Sequence, residues 1–99
     1  MPLVTIKSEL ERATVGKYAL PMFDAFDMQS TDAMFEAAVE RKAPVMVALY
    51  QAPFMQPSGV AFAAYIRERA KTCPVPVSLI LDHGNSFEQC MKAIDAGFT

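Results

Sequence analysis

The stretch Val77-Ser78-Leu79-Ile80-Leu81-Asp82-His83-Gly84 decides the fold. It is a nearly continuous apolar run that ends abruptly in a carboxylate, an imidazole and a glycine. A strand buried on both faces of a parallel sheet reads this way, whereas a half-buried strand alternates. In α/β proteins the chemistry collects just past the C-terminal ends of such strands. Asp82 and His83, the only histidine of the chain, stand at that position, and Gly84 allows a tight turn away from the sheet.

Working outward, residues 60–72 read as a helix with Ala63, Ala64 and Ile66 inward and Arg67, Glu68 and Lys71 outward. Pro74 and Pro76 frame the entry to the strand. On the other side, Ser86 with Gln89 fits a capping box. Phe87, Cys90, Met91 and Ile94 then recur at the spacing of one buried helix face. Gly97 is a helix C-cap signal, after which a further strand is expected.

Two more strand-helix units precede this one. Tyr18 to Phe26 reads as a strand that Pro21 keeps short or irregular, with Asp24 and Asp27 at its C-terminal end. Ser30 or Thr31 caps a helix to about Lys42, with Met34, Phe35, Ala38 and Val39 on its apolar side and Asp32, Glu36, Glu40 and Arg41 outside. Pro44 stops it, and Val45 to Tyr50 is a second apolar strand. Gln51 to Gly59 reads as a loop on which Phe54 and Met55 are not fully solvated. Residues 5–15 form a first helix, with Thr5 as N-cap and Gly16 closing it.

Strands that alternate with amphipathic helices imply a parallel sheet. A closed (β/α)8 barrel takes about 250 residues, and the 99 residues supply three strands. The chain is therefore either a small open α/β domain or the first part of a barrel. The net charge of -2 and the absence of a basic cluster speak against nucleic acid as a partner. The apolar runs are far too short to span a bilayer, and charges at Lys7, Glu9, Glu11 and Arg12 break up any leader-like region. Cys73 and Cys90 form neither a CxxC unit nor a disulfide framework, which points to a reducing, cytoplasmic setting.

The chemistry at the strand ends is open on residue type alone. Imidazole is the commonest protein metal ligand, and a carboxylate beside it can carry a proton. Successive strand residues face opposite sides, so both serve one site only if the chain leaves strand geometry at Asp82 or His83. Equally, Asp and Gly are ordinary turn residues. A catalytic zinc ion takes three protein ligands, and the chain has one histidine. Cys73 precedes the strand and lies roughly 30 Å from its far end, and Cys90 reads as core. Asp27 reads as a neighbour of the next helix, whereas Asp24 is the better site candidate. The seven methionines read as core filler. No Gly-rich phosphate loop or nucleophile elbow occurs.

The run from Leu81 to Glu88, followed by Cys90 and by Lys92-Ala93-Ile94-Asp95-Ala96-Gly97-Phe98-Thr99, strongly resembles the class II, zinc-dependent fructose- and tagatose-bisphosphate aldolases. Tyr18-Ala19 with Phe23, and Glu36 to Val45, look like that family's first strand and helix. The resemblance implies a (β/α)8 TIM barrel. Residues 1–99 would be the N-terminal portion of that single domain: a helix and then the first three strand-helix units. It implies that His83 binds the catalytic zinc and that Asp82 moves a proton on the sugar hydroxyl. The reaction would be reversible aldol cleavage of a ketose (bis)phosphate to dihydroxyacetone phosphate and an aldehyde. Asp24, where the family usually has Asn, and Tyr50, at the end of a strand where it usually has Gln-x-Ser, would lie against the substrate and bear on its choice. The remaining zinc ligands and the phosphate loops would lie beyond residue 99, so these residues by themselves are expected to be inactive. The full protein is expected to bind a sugar phosphate, to form a homo-oligomer, and to engage neither nucleic acid nor membrane. Two other readings stand beside this one: a catalytically lapsed barrel that binds a sugar phosphate for regulation, and an independent small α/β binding domain.

Overall fold

The computed structural model describes residues 3–99. Strands β1 (Met22–Asp24), β2 (Val45–Tyr50) and β3 (Val77–Asp82) form one parallel sheet in the order β1-β2-β3. Parallel neighbours need crossovers. These are supplied by α2 (Met28–Arg41) between β1 and β2, and by the short α3 (Gln51–Phe54) with α4 (Gly59–Lys71) between β2 and β3. Helix α1 (Lys7–Gly16) precedes the sheet and α5 (Phe87–Asp95) follows it. The expected α/β architecture, a three-strand part of a barrel led by one helix, is what the chain adopts.

The register divides the sheet into two faces. Met46 pairs with Ser78, Ala48 with Ile80 and Tyr50 with Asp82, while Asp24 pairs with Ala48. Side chains alternate along each strand, so Asp24, Ala48, Tyr50, Ile80 and Asp82 share one face. Val45, Val47, Leu49, Val77, Leu79 and Leu81 share the other. That second face packs into one core with Phe35 and Ala38 of α2, Phe54 of α3, and Ala63, Ile66 and Ala70 of α4. Ala48 and Ser78, on the first face, are also fully buried. A sheet covered on both sides is why these strands read as unbroken apolar runs.

Strand β1 is short, as expected: it has three residues, and Pro21, which lacks an N–H, contributes its carbonyl alone, to Met46 N–H at 3.1 Å. Several other local features differ from expectation. Helix α2 is capped by Asp27, whose carboxylate accepts from Ser30 N–H at 2.7 Å while Ser30 Oγ accepts from Asp27 N–H at 3.2 Å. Ser30 is thus the reciprocal partner in the box, not the cap. Asp32 is not a free surface charge: it accepts from Tyr65 Oη at 2.5 Å and Arg69 Nε at 2.9 Å and so ties α2 to α4. Helix α1 begins at Ile6 without a side-chain cap, so Thr5 does not serve. It ends at Lys17, which takes the left-handed conformation, so the closing residue is not Gly16. The segment 51–59 contains a helical turn, and it buries Phe54. On α4, Ala64 faces solvent, because burial follows Ala63, Ile66 and Ala70.

The largest departure is on α5. Its apolar stripe exists, but Phe87 is 81% and Ile94 63% exposed, and Met91 and Cys90 are exposed as well. The sheet is covered instead by Ala93 and, just past the helix, Ala96. Cys90 is therefore not core, whereas Cys73 is buried. Gly97, at φ 88°, ends the helix as expected, with Phe98 N–H bonded to Ala93 O and the Phe98 ring 4.8 Å from that of Phe54. Thr99 then reaches the free edge of β3, its N–H donating to Leu79 O at 2.9 Å and its Oγ1 accepting from Leu79 N–H at 3.2 Å. No helix among the described residues is long and apolar enough to cross a membrane.

Candidate active site at the strand ends

The C-terminal ends of the three strands bring Asp24, Tyr50, Asp82 and His83 together. Asp24 closes β1, Tyr50 closes β2 and Asp82 closes β3. All three share the face opposite the core formed with α2, α3 and α4. Asp24 stands one pleat below the level of Tyr50 and Asp82, because its register partner is Ala48.

His83 would point to the opposite side if β3 simply continued. It does not continue: His83 adopts φ 63°, a left-handed conformation uncommon outside glycine, though His, Asn and Asp adopt it more than most. The turn brings His83 Nε2 to 3.8 Å from Asp82 Oδ1. The departure from strand geometry is thus at His83, and Gly84 has another role. A methyl group at Gly84 would fall 2.7 Å from Leu81 Cδ2 and 3.3 Å from Cys90 Sγ. The glycine lets the chain pass close over Leu81 and the first turns of α5.

The imidazole is 70% exposed, and the Asp82 side chain is 22% exposed. The Tyr50 ring meets the His83 ring edge to face, with centroids 5.4 Å apart and planes at 82°. Asp24 is half-buried and its carboxyl lies within hydrogen-bonding reach of Asp82. Its pKa is raised above the ordinary 3.8, first by desolvation, then by the hydrogen bond to Asp82 and by the charge of Asp82, with His83 pulling the other way. Desolvation and the neighbouring Asp82 carboxyl thus both favour the protonated form of Asp24 relative to a free carboxyl. Asp27 is outside this group: its carboxylate is committed to the α2 cap, and Ser30 lowers its pKa.

A raised pKa has a consequence for stability. The folded chain holds the Asp24 proton more tightly than the unfolded chain does. The penalty is absent below about pH 3.8 and grows as pH rises through the folded pKa. Asp24→Asn is therefore expected to stabilise the fold at neutral pH, by less than about 1 kcal/mol because the pair is open to solvent. The gain should vanish at pH 3. Thermal melts of both forms at pH 3 and 7 check this, and a gain that persists at pH 3 would contradict it.

One network at the site was not visible in the sequence. Gln89 Oε1 accepts from Asn85 N–H at 3.0 Å, and Gln89 Nε2 donates to Gln51 Oε1 at 2.7 Å. The Ser86–Gln89 box is half realised: Ser86 Oγ accepts from Gln89 N–H at 3.1 Å, but the Gln89 side chain reaches back to Asn85 instead of Ser86. Gln51 and Gln89 lie 38 residues apart, and no local spacing signals that they meet.

A cavity of about 410 Å³ opens at this end of the sheet, between the start of α2 and the α3–α4 turn. It lies on the helix side and is lined by Leu49, Phe54 and Phe62, not by Asp24, Tyr50, Asp82 or His83. The site lies instead on the other face of the sheet, at the C-terminal ends of its strands.

The donor set fits a zinc ion in part. His83 offers an accessible imidazole at the mouth of the sheet, with the Asp82 carboxylate beside it. Among the described residues no group of three or more His, Cys, Asp and Glu side chains is placed to hold a metal ion. His83 can therefore serve as one ligand, and further donors would have to come from elsewhere in the protein.

Comparison with known proteins identifies the family. Residues 4–99 match the family model described as fructose-bisphosphate aldolase class-II. The chain is 39% identical over 103 residues to the "Probable fructose-bisphosphate aldolase" of Bacillus subtilis (strain 168), and 37% identical over 102 residues to the fructose-bisphosphate aldolase of Geobacillus stearothermophilus. Each match takes in 100% of this chain and 36% of the relative, so the chain spans about a third of these proteins' length. Among solved structures, the YdjI aldolase from Escherichia coli K12 superposes with a TM-score of 0.91 at 27% identity, over 97% of this chain and 37% of that one. The Asp82–His83 corner, the parallel strand order and the match over residues 4–99 place this chain in the class II fructose-bisphosphate aldolase family.

Proposed function

We propose that the protein carrying this chain is a zinc-dependent lyase that reversibly cleaves a ketose phosphate or bisphosphate to dihydroxyacetone phosphate and an aldehyde. Residues 1–99 would form the N-terminal portion of its (β/α)8 domain. The observation that supports this best is the Asp82–His83 corner, where a left-handed turn at a strand end sets an imidazole 3.8 Å from a carboxylate.

In this reading His83 is one ligand to the zinc, and the other ligands lie outside these 99 residues. When bound, zinc would polarise the ketose carbonyl and stabilise negative charge that develops there. Asp82 takes the proton from the hydroxyl on the carbon beyond the breaking bond. The carbon–carbon bond then breaks, its electron pair stays with the ketone-derived half, which takes up a proton at that carbon to become dihydroxyacetone phosphate, and the hydroxyl carbon leaves as the aldehyde. In the reverse direction Asp82 returns the proton. Asp24 lies against Asp82 and helps to orient it, and it faces the substrate with Tyr50. A homo-oligomeric assembly of the full protein belongs to the same reading.

The test is to assay the full-length protein for dihydroxyacetone phosphate release from a panel of ketose phosphates. Cleavage that chelator removes and zinc restores is the expected result. A protein that binds these sugars but cleaves none of them would be a regulatory, catalytically lapsed barrel, and the lyase reading would fall.

A further inference from the structure

We propose that Gln51 and Gln89 form a positioning clamp that sets the left-handed turn at His83 and so aims its imidazole. The proposal rests on the reading of His83 as a zinc ligand and extends it to residues that touch neither metal nor substrate.

The hydrogen-bond pattern has one consistent direction. A backbone N–H can only donate, so the Gln89 oxygen must face Asn85 N–H, at 3.0 Å. The Gln89 NH2 is then the donor to Gln51 Oε1 at 2.7 Å. Asn85 lies two residues past His83, Gln89 sits in the first turn of α5, and Gln51 directly follows Tyr50. The bonds thus close a loop through the end of β2, the start of α5 and the 83–85 turn. The loop's remaining contact is the Tyr50 ring against the His83 ring. Both amide side chains are half-buried, so water competes with them less than at an open surface.

Such a clamp is what the turn needs. A histidine at positive φ persists only where its surroundings impose that conformation. Among the described residues no hydrogen bond from the His83 ring to the backbone holds it there, and the Asp82 contact is long for a hydrogen bond at 3.8 Å. The order must come from the chain on either side. Asp82 is held by the β2 register, and Asn85 is held by Gln89.

The test uses the full-length protein and zinc itself, with affinity read by competition against a chromophoric chelator. Loss of an outer partner of a ligating histidine typically weakens metal binding 10- to 100-fold. Gln89→Ala is expected to raise the zinc dissociation constant about tenfold. Gln51→Ala should act in the same direction, and the double variant should be no weaker than Gln89→Ala alone, because both break one unit. Gln51→Glu keeps an oxygen facing Gln89 and is expected to retain near wild-type affinity, a rescue that general loss of packing would not show. In the metal-free protein, amide exchange at Asn85 should accelerate about tenfold or more in Gln89→Ala. If Gln89→Ala does not fold, Gln51→Met replaces it: Gln89 still accepts from Asn85 N–H, only the bond between the two glutamines is lost, and weaker zinc binding is again expected. Zinc affinity within twofold of wild type in Gln89→Ala and Gln51→Ala, while His83→Ala still loses zinc, would overturn the clamp alone. Zinc binding that survives His83→Ala would overturn the ligand reading beneath it.

Discussion

Removing the imidazole at position 83 is expected to weaken zinc binding by at least about a hundredfold, beyond the range for loss of an outer partner. The measurement is chelator competition on the full-length protein. Alanine is not the cleanest substitution, because it tolerates the left-handed region poorly and costs about 1 kcal/mol there. His83→Asn is the better probe: Asn adopts positive φ readily, so the turn is kept while the ligand is lost. Both variants should lose zinc, and only His83→Ala should also melt earlier. The imidazole is 70% exposed, so little packing goes with it. If His83→Asn binds zinc as tightly as wild type, His83 is a turn residue and no more.

Asp82→Asn is expected to lower kcat by about 10²- to 10⁴-fold, the usual contribution of a positioned proton carrier. KM and zinc affinity should stay within a few-fold of wild type, because the amide keeps the size of the carboxyl and His83 supplies the metal contact. A second signature follows at Asp24. Desolvation, the hydrogen bond to Asp82 and the charge of Asp82 together raise its pKa, and the substitution removes the last of these outright. The Asp24 carboxyl should therefore titrate lower in Asp82→Asn, readable by carbon-13 NMR. Loss of turnover with no movement at Asp24 would mean that the two carboxyls do not interact in solution. Unchanged turnover would remove Asp82 from the chemistry.

The parts of the fold that could be read from residue order are those set by the backbone and by burial on two faces. Val45 to Tyr50 matches its strand residue for residue, and Val77 opens the third strand, which runs on to include Asp82, because an apolar run bounded by Pro44 or Pro76 has few other uses. Asp82 and His83 could be placed at a strand end for the same reason. What escaped was directional. The stripe Phe87, Cys90, Met91, Ile94 has a clear period, but a period does not say which neighbour a face meets, and here small Ala93 and Ala96 meet the sheet. The cap of α2 was shifted by three residues because Asp27, Ser30 and Thr31 are all good cap types. At the site, the convergence of Asp24 with Asp82 depends on strand order, and the Gln51–Gln89 bond depends on tertiary contact between two ordinary polar residues.

The register of β2 against β3 carries a consequence for how the molecule is made. Asp24 and Asp82 lie 58 positions apart in the chain and meet only through an intervening strand. Pairings of that sequence separation form slowly compared with helices. Sliding β2 by one residue would turn Tyr50 to the helix side and send Leu49 to the mouth. During synthesis, then, the grouping of Asp24, Tyr50, Asp82 and His83 cannot exist until all three strands have emerged and locked in step, whatever helices the nascent chain has already formed.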